Sequence, residues 1–184
     1  MFEIYPLITI YDTHYFFIHP VQVMKGKKMV AITVQKIINA PLKEVWDSWD
    51  DYANIHKFHP GLNSSYRLGE KQETGLGALR QCDFTDGKTY LQEKITRYDT
   101  EENMTIEIYG TNAPIRDASA SFDFVALGPS ITRVTMTMSF TPKMGLLDMM
   151  ITPLMKWQFS KGLMGLLEGN AAYVEGNKSK SLAA

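Results

Sequence analysis

Two oppositely charged residues, Arg80 and Glu93, lie on predicted strands whose other residues on the same face are mostly apolar. The Asp-Gly pair at 86–87 is typical of a two-residue hairpin turn, and counting back along both strands places Arg80 directly opposite Glu93. A carboxylate on an apolar face could transfer a proton, and a guanidinium could steer a carbonyl oxygen. The same residues could instead form an ion pair that only neutralises two buried charges. The spacing predicts the pair and leaves both roles open.

A third charge, Arg116, starts a strand whose next inward positions are alanines and phenylalanines. An arginine at a strand end usually extends its charged group to water while its stem covers apolar surface. We therefore predict that Arg116 lies at the mouth of a cavity, where it contacts either solvent or a polar group of a ligand. Tyr66 is a further residue whose hydroxyl could steer a carbonyl oxygen.

Other patterns that would indicate catalysis or cofactor binding are weak. His56 and His59 are three residues apart, but Pro60 argues against a helix that would bring their rings together around a metal. Cys82 is predicted on an apolar face with no histidine in register, so we predict no thiol nucleophile. The glycines at 75–77 precede a strand, whereas those of a phosphate-binding loop precede a helix. We predict no metal and no cofactor, and we assign no catalytic residue.

The elements that would position these residues follow from the hydrophobic pattern, which predicts one strand, two short helices, six strands and a long helix. Apolar residues alternate from Val30 to Val34, and Pro41 then suits the first position of a helix. A second short helix spans 52–57. Turn residues separate the later segments, so consecutive strands should pair antiparallel. We predict the six later strands at 62–68, 77–84, 88–98, 104–109, 115–126 and 131–141, and the long helix at 144–174.

Side-chain alternation predicts which face of the sheet meets the long helix. On that face we place the charged residues Arg80, Glu93 and Arg116 among mostly apolar neighbours. The uncharged members include Leu62, Ser64, Tyr66, Leu68, Cys82, Phe84, Leu91, Ile106, Phe122, Phe124, Met136 and Met138.

The long helix carries Gly162, Gly165 and Gly169 on one stripe. Each interior glycine destabilises a helix by about 1 kcal/mol relative to alanine, so the stripe indicates either close backbone approach or room for a ligand. Bulky side chains fill the earlier part of the stripe. We expect close packing around Gly165 and the cavity nearer Leu154 and Gln158.

Composition favours one domain with no electrostatic affinity for nucleic acid. The chain has 184 residues, 19 basic and 20 acidic residues, and a single cysteine, so an internal disulfide is excluded. No apolar run reaches the roughly 18 residues of a membrane-spanning helix. We predict an N-terminal extension at 1–28 that is disordered, a domain at 29–176, a flexible tail at 177–184 and a cytoplasmic location.

Several motifs follow one another in a familiar order. They are Asn-Ala-Pro-Leu-Lys-Glu-Val-Trp at 39–46, Gly-Leu-Gly-Ala-Leu-Arg at 75–80, Asp-Gly at 86–87, Leu-Gln-Glu-Lys-Ile at 91–95 and the closing helix. With them, residues 30–176 resemble the START-like, polyketide-cyclase and birch-allergen-like superfamily of helix-grip proteins, also called SRPBCC-type. The resemblance implies an α+β fold in which a seven-stranded antiparallel curled sheet surrounds a long C-terminal helix, with two short helices after the first strand.

The resemblance also bears on ligands. In plant-hormone receptors of this superfamily, the glutamate that matches Glu93 lines the pocket, and a lysine near the position of Ser64 anchors an acidic ligand. This chain has no lysine there, which argues against an acidic hormone-type ligand.

We predict a binding or carrier protein for a hydrophobic small molecule, such as a lipid, polyketide or isoprenoid, held between the sheet and the last helix. The alternative is an enzyme of the polyketide cyclase or aromatase type that uses Glu93 and Arg80. An interaction module with a protein partner is a third hypothesis. The predicted ligand-binding residues are Tyr66, Arg80, Glu93, Arg116, Phe122, Met138, Leu154 and Gln158.

Overall fold

The computed structural model describes residues 29–69, 73–143 and 148–182, and the described side chains of the last helix are those of 154 and 156–177. The first described element is strand β1, Val30–Ile38, followed by helix α1, Leu42–Asp50, and a 3-10 helix, Tyr52–Lys57. The remaining elements are β2 Leu62–Arg67, β3 Leu79–Phe84, β4 Tyr90–Asp99, β5 Asn103–Thr111, β6 Ile115–Gly128, β7 Ile131–Pro142 and α2 Asp148–Leu182. This element order confirms the predicted fold class.

The seven strands form one antiparallel sheet in the order β1-β7-β6-β5-β4-β3-β2. Strands β2 to β7 follow one another as a meander, and β1 pairs with β7 along its whole length, from Val30 opposite Phe140 to Ile38 opposite Thr132. The sheet curls so that one face packs against α1 and α2, and the buried core lies between them.

The first helix packs on the sheet through three buried residues at helical spacing, Val45, Trp46 and Trp49. The ring of Trp49 lies 4.5 Å from that of Phe122 on β6. Pro41 precedes α1, where its missing N–H is not needed by the helix. The sequence pattern thus predicted the buried face of α1.

A buried polar group on α2 joins the two helices. The side-chain oxygen of Asn170, which is fully buried, accepts a hydrogen bond from Trp49 Nε1 at 3.0 Å. The side-chain nitrogen of Asn170 donates to Ser48 Oγ at 2.8 Å. Both ends of the amide are therefore satisfied, as a buried amide requires.

The face of α2 that enters the core differs from the predicted glycine stripe. Among the described side chains of this helix, the buried ones are Leu163, Leu166, Leu167, Asn170, Ala171 and Val174. Gly165 and Gly169 lie on the neighbouring face, which meets the segment 58–60. The close backbone approach is at Gly169, where an added Cβ would collide with the carbonyl oxygen of Phe58, whereas at Gly165 it would meet Pro60 Cγ at an ordinary 3.7 Å. The prediction of close packing around Gly165 is therefore wrong, because the close approach is at Gly169, one helical turn later.

The prediction of which side chains face inward is wrong next to two bulges, one in β2 and one in β6. In β2 the register shifts between Leu62 and Ser64, so Ser65 becomes buried opposite Cys82 and Tyr66 turns outward. In β6 the register shifts between Arg116 and Ser119. Each bulge adds one residue and moves every side chain on one side of it to the other face, which a strict alternation cannot anticipate.

The β3–β4 connection is longer than the predicted two-residue turn. It spans 85–89, and Asp86 Oδ1 accepts hydrogen bonds from the backbone of Lys88 and Thr89. The strand register is nevertheless the predicted one, with Arg80 opposite Glu93. The helix α2 continues to Leu182, beyond the predicted end at 174, while the predicted beginning at 144 lies outside the described residues, as do 1–28. Within the described chain, no helix is long and apolar enough to cross a membrane.

The glycine contacts predict opposite effects of one substitution at two sites in α2. Gly162→Ala adds a Cβ with no heavy atom within 4 Å, so it should stabilise the fold by about 0.5–1 kcal/mol through helix propensity. Gly169→Ala should destabilise it by about 1–3 kcal/mol, because the Phe58 backbone must move. Thermal and urea unfolding measure both variants, and equal midpoints would show that α2 does not approach the 58–60 segment.

Candidate functional site

A cavity of about 320 Å³ lies between the sheet and α2. Its walls are mostly apolar and come from the central strands, the last helix and the segment after the 3-10 helix. The apolar lining residues are Ile55, Leu62, Phe84, Leu91, Ile106, Ile108, Ala120, Phe122, Met136, Met138, Phe159, Gly162, Leu163 and Leu166. An apolar concave site with few polar groups is the usual composition of a small-molecule pocket.

Five polar residues also line the cavity: His59, Arg80, Cys82, Glu93 and Gln158. Arg80 and Cys82 come from β3 and Glu93 comes from β4, so their backbones are held by the sheet. His59 follows the 3-10 helix, and Gln158 is on α2. The polar lining is therefore concentrated around the β3–β4 hairpin and the residues next to it.

Arg80 and Glu93 form the predicted ion pair, and both are buried, with 3% and 8% of their surfaces exposed. Arg80 Nε donates to Glu93 Oε2 at 2.5 Å, and Arg80 Nη1 donates to the carbonyl oxygen of Tyr52 at 2.9 Å. The guanidinium lies 4.0 Å above the ring of Tyr52. Burial alone would lower the pKa of Arg80, but the Glu93 charge outweighs it and raises the pKa above its ordinary value. Arg80 is therefore a permanent cation.

Glu93 lines the cavity and keeps unused hydrogen-bonding capacity. Its Oε2 accepts the bond from Arg80 and a weaker one from Cys82 Sγ at 3.8 Å. Its Oε1 accepts no hydrogen bond from any residue that the structure describes. Burial, and then the charge of Glu93, raises the pKa of Cys82, so the thiol stays protonated and does not act as a nucleophile.

His59 is, with Cys82, one of the two polar lining residues that sequence analysis did not place at a ligand site. Its Nδ1 accepts a hydrogen bond from the backbone N–H of Gly61 at 3.0 Å. Burial, and then the positive charge of Arg80, lowers the pKa of His59 to about 4, so the ring is neutral at physiological pH. The signal in the sequence is weak, because only the His-Pro-Gly order hints at a histidine fixed by its own turn.

Five of the eight predicted ligand-binding residues line the cavity, namely Arg80, Glu93, Phe122, Met138 and Gln158. The other three lie outside it. Tyr66 is 44% exposed and Arg116 is exposed, both because of the bulges in their strands. Leu154 is 56% exposed and lies outside the cavity, although Gln158 and Gly162 of the predicted stripe line it.

A metal site is not formed by the described residues, where no group of three His, Cys, Asp or Glu side chains could hold an ion. His56 is engaged elsewhere, since its backbone N–H and its Nδ1 both contact Ser65 Oγ.

The sequence of residues 29–175 matches the family described as polyketide cyclase / dehydrase and lipid transport. The chain belongs to this family. A sequence search of curated proteins found no match.

Solved structures share the fold at low sequence identity. TTHA0849 from Thermus thermophilus is 15% identical with a TM-score of 0.69, over 80% of this chain and 99% of that protein. The ZhuI aromatase/cyclase from Streptomyces is 14% identical with a TM-score of 0.68, over 80% and 94%. Truncated norcoclaurine synthase from Thalictrum flavum is 15% identical with a TM-score of 0.64, over 83% and 98%. At these identities the likeness establishes the helix-grip fold alone.

The buried ion pair predicts asymmetric effects of substitution. Arg80→Met alone should destabilise the fold by about 3–5 kcal/mol, because it leaves the Glu93 charge buried without a partner. Adding Glu93→Leu should recover most of this loss, except about 1 kcal/mol for the unpaired Tyr52 carbonyl. Urea unfolding of both single variants and the double variant gives the coupling energy. Additive effects would show that the two side chains do not interact.

The position of His59 predicts a pH dependence of stability. The unfolded histidine takes up a proton near its ordinary pKa of 6.5, while the folded one does so only near 4. Stability from this group is therefore complete above pH 6.5 and falls by about 2–3 kcal/mol as the pH drops to about 4. We expect His59→Asn to lose this part of the slope, measured by urea unfolding between pH 7 and pH 4.5. Equal slopes in both proteins would contradict a half-buried, neutral His59.

Proposed function

We propose that this protein binds or carries a hydrophobic small molecule in the cavity between the sheet and α2. The observation that carries the proposal is a preformed apolar cavity whose few polar groups are held by the sheet. Apolar walls provide the affinity, because they remove the ligand's surface from water, and the polar groups orient it.

The size of the cavity narrows the class of ligand. Its volume of about 320 Å³ is at the lower end of the roughly 300–1,000 Å³ of small-molecule sites. A compact molecule of a few rings, or a short isoprenoid or acyl chain, suits this space better than a lipid with two long chains.

A cyclase or aromatase type of enzyme is the second candidate. It is favoured by the Glu93 carboxylate on the cavity wall, which could take a proton from a bound ligand. The residues predicted to steer a carbonyl oxygen support it less well. Tyr66 is outside the cavity, and two nitrogens of Arg80 already bind Glu93 and Tyr52. Ligand binding without catalysis therefore accounts for the site with fewer assumptions about the roles of Arg80 and Tyr66.

Native mass spectrometry of the purified protein, followed by extraction, tests the proposal. We expect a noncovalent adduct of a small apolar molecule. A change in the mass of this molecule during incubation with the protein would favour the enzyme. Absence of any adduct, together with failure of the apolar probes below to bind, would contradict a ligand-holding cavity.

A variant at the cavity mouth supplies the matched control. Gly162 lines the cavity at an exposed position, and a Cβ there meets no heavy atom within 4 Å, so Gly162→Phe should place its ring at the mouth without displacing the backbone. We expect this variant to fold and to lose the adduct, while Gly162→Ala keeps it. Retention of the full adduct by Gly162→Phe would place the ligand elsewhere.

A further inference from the structure

His59 and Glu93 together offer one hydrogen-bond donor and one acceptor to the cavity. We propose that they form a subsite for a hydroxyl group, in which His59 Nε2–H donates to the hydroxyl oxygen and Glu93 Oε1 accepts the hydroxyl proton. The ligand is then a neutral, apolar molecule with an alcohol or phenol group. This inference rests on the proposed function and names the chemical class of its ligand.

A hydrogen bond within the turn at 59–61 determines the tautomer of His59. Because Nδ1 accepts the N–H of Gly61 at 3.0 Å, the proton of the neutral ring is on Nε2. The ring also packs edge-on against Phe84, with centroids 6.0 Å apart, so its orientation is held from two sides. The donor Nε2–H has no acceptor among the described residues, and His59 lines the cavity.

The acceptor comes from the half of Glu93 that the ion pair does not use. Arg80 binds Oε2, and Oε1 has no donor among the described residues, although Glu93 is buried. Both residues line the same cavity and contact β3, since Glu93 binds Arg80 and the ring of His59 packs against Phe84. The donor and the acceptor therefore belong to one cavity.

Charge balance selects against an ionised ligand. The positive charge of Arg80 is already compensated by Glu93, and His59 is neutral because its pKa is lowered to about 4. A carboxylate ligand would bring a second negative charge beside Glu93 with no free cation to pair with it, which is unfavourable in an apolar site. A hydrocarbon would leave both protein groups without partners, and a ketone would satisfy only His59. A hydroxyl satisfies both.

Three matched probes test the proposal on the full chain at pH 7: 2-naphthol, naphthalene and 2-naphthoate. Equilibrium dialysis with fluorescence detection measures the affinity of each. We expect 2-naphthol to bind about tenfold more tightly than naphthalene, which corresponds to two net hydrogen bonds. We expect 2-naphthoate to bind at least about tenfold more weakly than 2-naphthol, because its charge is uncompensated.

The variant His59→Asn separates the roles of the histidine. The asparagine side-chain oxygen can still accept the Gly61 N–H, while the donor at the position of Nε2 is lost. We expect the preference for 2-naphthol over naphthalene to fall from about tenfold to about threefold, because one of the two hydrogen bonds is lost while Glu93 still accepts the other. The affinity for naphthalene should stay within about twofold, because the apolar walls of the cavity remain. In the wild-type protein, the NMR signal of His59 Nε2 should shift with 2-naphthol and not with naphthalene. This measurement remains valid if the variant does not fold.

The binding results distinguish failure of the hydroxyl subsite from failure of the proposed function. Equal binding of 2-naphthol and naphthalene, tightest binding of 2-naphthoate, or an unchanged preference in His59→Asn would overturn the hydroxyl subsite and leave the apolar cavity intact. Failure of all three probes would count against the proposed function itself.

Discussion

The buried ion pair between Arg80 and Glu93 is the constraint on which the site depends. Both side chains are almost inaccessible to water, so each charge requires the other, and removal of one partner would leave an uncompensated charge inside the protein. The pair also reaches beyond the hairpin, because Arg80 donates to the Tyr52 carbonyl and lies on the Tyr52 ring. One guanidinium thus connects β3, β4 and the 3-10 helix, and it holds the wall of the cavity to the element that leads to His59.

The same pair determines what the cavity can recognise. A compensated cation no longer attracts anions strongly, so the site has no net charge at the place where polar contacts are made. What remains is hydrogen bonding, from the unused oxygen of Glu93 and from a neutral His59. In an apolar cavity, such groups matter more for selecting a ligand than for binding it, because an unpaired buried group is costly and a paired one is only slightly favourable. Selectivity and affinity therefore come from different parts of the wall.

The packing of α2 explains why the residues after the 3-10 helix can serve the site. Gly169 lets the helix backbone approach the Phe58 carbonyl, and Gly165 leaves ordinary contact with Pro60. Asn170 fixes the same helix to α1 through Trp49 and Ser48. The segment that carries His59 is held between a helix and a sheet, so the orientation of the ring is set by backbone contacts. Gly162 lies about one helical turn before Gly165, and it lines the cavity instead of contacting the 58–60 segment.

Local patterns in the sequence determined the element order, the antiparallel sheet, the buried face of α1 and the pairing of Arg80 with Glu93, because alternation, helical spacing and hairpin register are short-range properties. For the same reason, five of the eight predicted ligand-binding residues lie on the cavity wall. Tertiary structure decided the rest. Bulges in β2 and β6 turned Tyr66 and Arg116 outward. Gly165 and Gly169 of α2 meet the 58–60 segment, whereas Gly162 lines the cavity. His59 entered the site through contacts with Gly61 and Phe84. Partial burial and the charge of Arg80 keep its ring neutral, and this environment exists only once distant segments of the chain have packed together.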